Sequence, residues 1–213
     1  MKTLFFILIG ISPCTIIVAV AQTPAGNAAR EKAMMQFLMG PSFSEADYQL
    51  TLAVAHRDDV QAEAALKNGA NPNFLDLGNG TQLMLACQNG DVKTAEVLLK
   101  HGAKPDLMDA DGYTALMMAC QFFMPEMVRV LLKHGANPNL KADGDVAKSM
   151  GTQGYTALMI GCRSSSFETV QGLLDHGADP RCVGADGRTA LDIVKQRSGW
   201  REQQPVIELL EQK

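Results

Sequence analysis

The residues most able to do chemistry in this chain are its five cysteines and four histidines. Thiols serve as nucleophiles, disulfide partners or metal ligands, and imidazoles serve acid–base catalysis or metal binding. Cys87, Cys120 and Cys162 are separated by 33 and 42 residues, and so are His101, His134 and His176. One pair of intervals shared by two unrelated residue types points to an underlying repeat, not to groups converging on one reaction centre. Cys14, Cys182 and His56 stand outside both series. No nucleophile with a nearby base can be drawn, and there is no Gly-rich phosphate loop or paired-carboxylate motif outside turns. Asp111-Gly112 and Asp186-Gly187 read as hairpin turns, and Asp143-Gly144-Asp145 as the turn of an inserted segment. Neither enzymatic activity nor a cofactor is expected.

The repeat is explicit. Gly-Ala-x-Pro recurs at Gly69, Gly102, Gly135 and Gly177, with spacings of 33, 33 and 42. Thr-x-Leu-x-x-small recurs at Thr81, Thr114, Thr156 and, more loosely, Thr189, with spacings of 33, 42 and 33. Both phrases keep one register, broken by a single nine-residue insertion. Running it backwards from Thr81 places Tyr48, Leu50 and Ala53 at equivalent positions, so a degenerate first unit starts near Glu45. Each Thr stands where a helix N-cap is wanted, before a short apolar helix. The second helix of each unit carries an apolar pair, Leu98-Leu99, Leu131-Leu132, Leu173-Leu174 or Leu209-Leu210. Gly after His then supplies a left-handed cap. Only 6% of residues are aromatic, against 46% hydrophobic overall, which favours helices packed through Ala and Leu.

A unit reading Asp111-Gly112-Tyr113-Thr114-Ala115-Leu116-Met117, then Val130-Leu131-Leu132-Lys133-His134-Gly135-Ala136-Asn137-Pro138-Asn139, resembles an ankyrin repeat. The resemblance covers residues 45 to 213. It departs from the family pattern in Ala before the first Leu, and in Met84, Met117 and Met159 where His is usual. It implies an all-α solenoid of about five 33-residue helix-turn-helix units with β-hairpin fingers. The units fall at about 45–77, 78–110, 111–152 (with the insertion at 141–153), 153–185 and 186–213. It also implies that the chain binds a partner protein on a concave face of finger tips and first helices. It resembles exported bacterial ankyrin proteins, some of which support oxidative-stress enzymes. An adaptor is therefore the leading expectation, with a toxin-immunity protein or a secreted effector as alternatives.

The register also decides the Cys and His columns. Stacked helices lie ~8–10 Å apart, whereas a disulfide needs Cα atoms within about 7 Å. Cys87, Cys120 and Cys162 should therefore be free thiols in small-residue positions, with Cys182 alone on a finger. Histidines at repeat spacing cannot meet one metal ion. They are expected to face helix C-terminal carbonyls, so no metal site is assigned.

Before the repeats, Lys2, the apolar run Leu4 to Ile11 and the stretch ending Ala19-Val20-Ala21 read as a signal peptide cleaved after Ala21. Export to the periplasm or medium follows as an expectation. Residues 22–44 read as a linker and a capping helix, Ala28 to Met39, with Ser44 and Asp47 forming a capping box for the next helix. Removal of the leader leaves 18 basic against 23 acidic residues, a poor balance for nucleic acid. The mature chain is expected to be monomeric and not inserted in a membrane. Trp200, in a lengthened last turn, reads as a packing residue.

The expected partner surface comprises Leu77, Asn79, Met108, Asp109, Asp143, Asp145 and Val183 on the fingers. Exposed positions Leu85, Gln88, Met118, Gln121, Ile160 and Arg163 on the first helices complete it. Phe122-Phe123-Met124 replaces the Asn89-Gly90-Asp91 of the preceding unit. That segment either forms an exposed apolar patch or packs under the insertion.

Overall fold

A computed structural model describes residues 43–75, 80–164, 167–196 and 200–212. The signal peptide, the linker and the capping helix expected over 28–39 lie outside the described residues. So do Leu77, Asn79 and the side chain of Trp200. The chain divides into two compact units, Met1–Lys104 and Pro105–Lys213.

The first unit holds α1 (Glu45–His56), α2 (Asp59–Lys67), α3 (Gln82–Asn89) and α4 (Val92–Lys100). The pairs α1–α2 and α3–α4 pack as hairpins, and α1 stacks on α3 as α2 does on α4. The second unit holds α5 (Ala115–Gln121), α6 (Pro125–Lys133), α7 (Asp145–Ser149), α8 (Ala157–Ser164), α9 (Phe167–Asp175), α10 (Ala190–Lys195) and α11 (Trp200–Glu211). Here α5, α8 and α10 form one column and α6, α9 and α11 the other.

Each first helix starts where its Thr can accept a hydrogen bond from the backbone N–H three residues on. The N–H groups of Met84, Met117, Met159 and Asp192 donate to Thr81, Thr114, Thr156 and Thr189 at 3.2–3.4 Å. At Thr81 the Met84 sulfur accepts the returning N–H at 3.4 Å, the place a carboxylate takes at Thr189. Ser44 caps α1 with Asp47 as expected, so the N-cap lies four residues before the position that the Thr register marks, Tyr48. Met84, Met117 and Met159 are each 1% exposed, so thioethers fill space in this core.

Second helices end alike. The N–H groups of Ala70, Ala103, Ala136 and Ala178 reach back to the carbonyls five residues earlier at 3.0–3.1 Å, with a left-handed Gly between, such as Gly102 at φ 87°. Side chains then tie successive turns. Asn73 accepts from the Lys104 N–H at 2.7 Å and donates to the Gly102 carbonyl at 3.0 Å. Asn139 does the same with Asp179 and Gly177 at 2.8 and 2.9 Å. Asp106, at the equivalent place, accepts from the Asn137 N–H at 2.8 Å, and its carboxylate has no donor for the second bond.

The expected β-hairpin fingers are smaller than a hairpin ladder. Among the described residues they close on isolated antiparallel bridges, Leu75 with Thr81 and Met108 with Thr114. Their arms are too short for more, and Pro105 removes a donor at the base of the second.

Candidate functional site

The site is built around the turn between α5 and α6. Counting along the register, Phe123 occupies the place of Gly90 and Arg57, and all three have left-handed backbone, at φ 59°, 67° and 60°. That conformation costs an L-residue with a side chain roughly 1–2 kcal/mol. The next position loses a second stabilising device. Asp91 and Asp58 cap their helices by accepting from Thr94 and Gln61, whereas Met124 makes no side-chain cap bond. Local stability argues for Gly-Asp here, yet the chain carries two aromatic rings and a thioether. The rings face water: Phe122 is 47% and Phe123 63% exposed. They are not packed away beneath the insertion.

The insertion folds back instead and makes the opposite wall. Its segment holds the short helix α7, beyond the turn expected at Asp143-Gly144-Asp145. Gly144 opens that helix, lying so close to the Asp111–Gly112 turn that a Cβ would sit 2.0 Å from the Asp111 carbonyl oxygen. At the far end the hydroxyls of Tyr113 and Thr152, both buried, lie 2.6 Å apart. Thr152 Oγ1 donates to the Ala147 carbonyl, which can only accept, so Tyr113 is the donor of the pair.

Between the two walls lies a cavity of about 240 Å³ lined by Tyr113, Gln121, Phe123, Met150, Thr152, Ile160 and Arg163. Four expected site residues, Gln121, Phe123, Ile160 and Arg163, thus come together. Met150 and Thr152 come from the insertion, 141–153, and Tyr113 was not foreseen. The register could have flagged Tyr113, which precedes a capping Thr as Tyr155 does. A second depression shares Met150 and Arg163 and continues past Tyr155 to Arg188, Ile193 and Gln196. There the Tyr155 hydroxyl donates to Asp186 at 2.6 Å, and Arg188 pairs with the same carboxylate and donates to Gln196 at 2.9 Å. Burial first, then the bond to Asp186, pushes the Tyr155 phenol up to about 12. Desolvation acts upward on Asp186, but the Tyr155 and Arg188 bonds outweigh it and hold its carboxyl below the usual value.

Other expected positions separate. Lys141, Asp143, Gln153 and Val183 border a third hollow between neighbouring fingers, where the Lys141 ammonium donates to the Val183 carbonyl at 3.1 Å. Asp145 is exposed and paired with Lys148. Asp109 accepts from the N–H groups of Asp111 and Tyr113, which fixes the turn beside the half-buried Met108. Gln88, in the first unit, is exposed. The expectation that Leu85, Met118 and Ile160 are exposed is corrected: they are 3%, 9% and 4% exposed, like Ile193 at 5%. Each stands four residues after its Thr. At Gly161, beside Ile160, a Cβ would meet Leu173 and Thr169 at 3.4 Å, so the small residue there lets the second helix of the same unit, α9, pack close.

Three of the thiols are closed to solvent. Cys87 and Cys162 are buried and pushed up to about 12 by desolvation, and Cys120 is raised by burial and by Cys162. Cys182 is partly exposed. His176 Nδ1 lies 2.8 Å from the Gly172 carbonyl in the last turn of its helix. Among the described residues no three His, Cys, Asp or Glu side chains gather as a metal site, and no helix is long and apolar enough to cross a membrane.

Comparison with known proteins matches this register. A family model for three copies of ankyrin repeats matches residues 50–142, and a model for one ankyrin repeat matches residues 153–185. The residues between the two matches are those of the insertion. None of the curated proteins matches the chain. The recurring turn geometry, the paired helices and both family matches agree: the chain belongs to the ankyrin repeat family.

Proposed function

We propose that this chain is an exported, non-enzymatic adaptor that binds a partner protein through the Phe122–Met124 turn and the insertion opposite it. Ankyrin repeats are in general protein–protein interaction modules, and the observation that carries this reading is Phe123. A side chain held in left-handed backbone, with its ring in water, where Gly would be more stable, is explained by what the ring touches in a complex. The missing N-cap at Met124 points the same way. Export rests on the apolar leader and Ala19-Val20-Ala21; an exported chain beginning at Gln22 supports it, and an intact Met1 overturns it.

The reading is tested by affinity capture from the producing cell's envelope. Wild-type chain is compared with a variant carrying Phe122→Asn, Phe123→Gly and Met124→Asp. A partner recovered by the wild type and lost by the folded variant supports the reading. Equal recovery overturns it.

A further inference from the structure

We infer that the groove beside Phe123 takes an extended segment of the partner in which an apolar side chain is followed by Asp or Glu. The inference rests on the proposed binding role of this face and adds the chemistry of what is bound. The 240 Å³ cavity has apolar walls from Phe123, Met150 and Ile160, and it is smaller than the roughly 300–1,000 Å³ of a small-molecule site. One apolar side chain fits it. Arg163 stands at its rim, exposed, and among the described residues no carboxylate pairs with it. The neighbouring cation is already committed, because Arg188 is held by Asp186 and Gln196. Arg163 is therefore the free positive charge of the groove, and its complement is a carboxylate next to the buried side chain.

The second depression decides between a side-chain carboxylate and a chain end. It begins at the shared residues Met150 and Arg163 and runs on to Ile193 and Gln196. A ligand whose carboxylate meets Arg163 thus has further groove ahead of it, so the chain passes through instead of stopping.

The test uses nuclear magnetic resonance titration of the full chain with capped hexapeptide pools. Phe or Leu is fixed at the third position, Glu or Gln at the fourth, and Gly, Ser and Ala fill the rest. The Glu pool should bind roughly fivefold more tightly than the Gln pool, the scale of one partly exposed ion pair. It should shift the amides of Phe123, Ile160 and Arg163, and lose its advantage in Arg163→Gln and in high salt. The inference is overturned if the pools bind alike, if neither shifts these amides, or if Arg163→Gln keeps the preference. A peptide ending in a free carboxylate at the fourth position that binds better than the Glu pool overturns the through-running chain. If the pools fail while envelope capture still depends on Phe122–Met124, the binding role stands and only this chemistry falls.

Discussion

The hydroxyl of Tyr113 donates to the hydroxyl of Thr152 across 39 residues of sequence, at 2.6 Å and out of contact with water. This one bond joins the base of the second finger to the end of the insertion. It holds Met150 and Thr152 opposite Phe123, so the cavity exists because the insertion is anchored there. Tyr113→Phe removes the donor and should cost about 1 kcal/mol. The loss should be local. Hydrogen exchange at Thr152 and Met150, whose N–H groups donate to the Ala147 and Val146 carbonyls, should quicken, with the amides of α9 unchanged; unchanged exchange at both would show that the bond does not hold the insertion.

The turn-to-turn ties rank by donor count. Asn139 both accepts from Asp179 and donates to Gly177, so Asn139→Ala should lose about 1–2 kcal/mol in urea denaturation. Asp106→Asn supplies the donor that position lacks and should gain about 0.5–1 kcal/mol. A loss on Asp106→Asn would mean that the carboxylate's charge matters more than the missing bond.

Stability should fall at both ends of the pH scale, for reasons that meet at Asp186. Its carboxyl is held below the usual value in the folded chain, so its contribution is present above the unfolded value, near 3.8, and fades as pH drops through the folded one. Tyr155 runs the other way. With its phenol raised from 10 to about 12, its contribution is full below pH 10 and is lost as pH rises towards 12. Asp186→Asn should flatten part of the acid limb in denaturation measured across pH. An unchanged acid limb would assign it to other groups, Asp192 among them.

Thiol labelling should separate the cysteines by layer. Under native conditions a neutral-pH thiol reagent should modify Cys182 and spare Cys87, Cys120 and Cys162, which are buried and far from their thiolate range. In denaturant all four should react. Rapid native labelling of Cys120 would show that the small-residue flank of α5 opens readily.

Local chemistry was legible in the sequence, and contact across the register was not. Thr81, Thr114 and Thr189 were readable as caps because capping acts over three residues, and Ser44 with Asp47 likewise. Periodicity also placed Leu85, Met118 and Ile160 as equivalents, but equivalence does not say which flank a neighbouring helix covers. The Tyr113–Thr152 bond, α7 and the groove depend on where an insertion folds back, which no spacing encodes. The strain at Phe123 was within reach, since counting 33 residues from Gly90 lands on it. The backbone at φ 59° is what shows it.

Phe123 is the centre of the proposed binding face, and the most direct measurement takes Phe123→Gly through stability and binding together. Relief of the left-handed strain should stabilise the chain by about 0.5–1 kcal/mol, raising the melting temperature by about 1–4 °C. Binding to the partner captured by the wild type should weaken at least roughly tenfold, the scale of losing one aromatic anchor. A variant that is more stable and binds equally well would contradict the claim that the ring is kept for its partner.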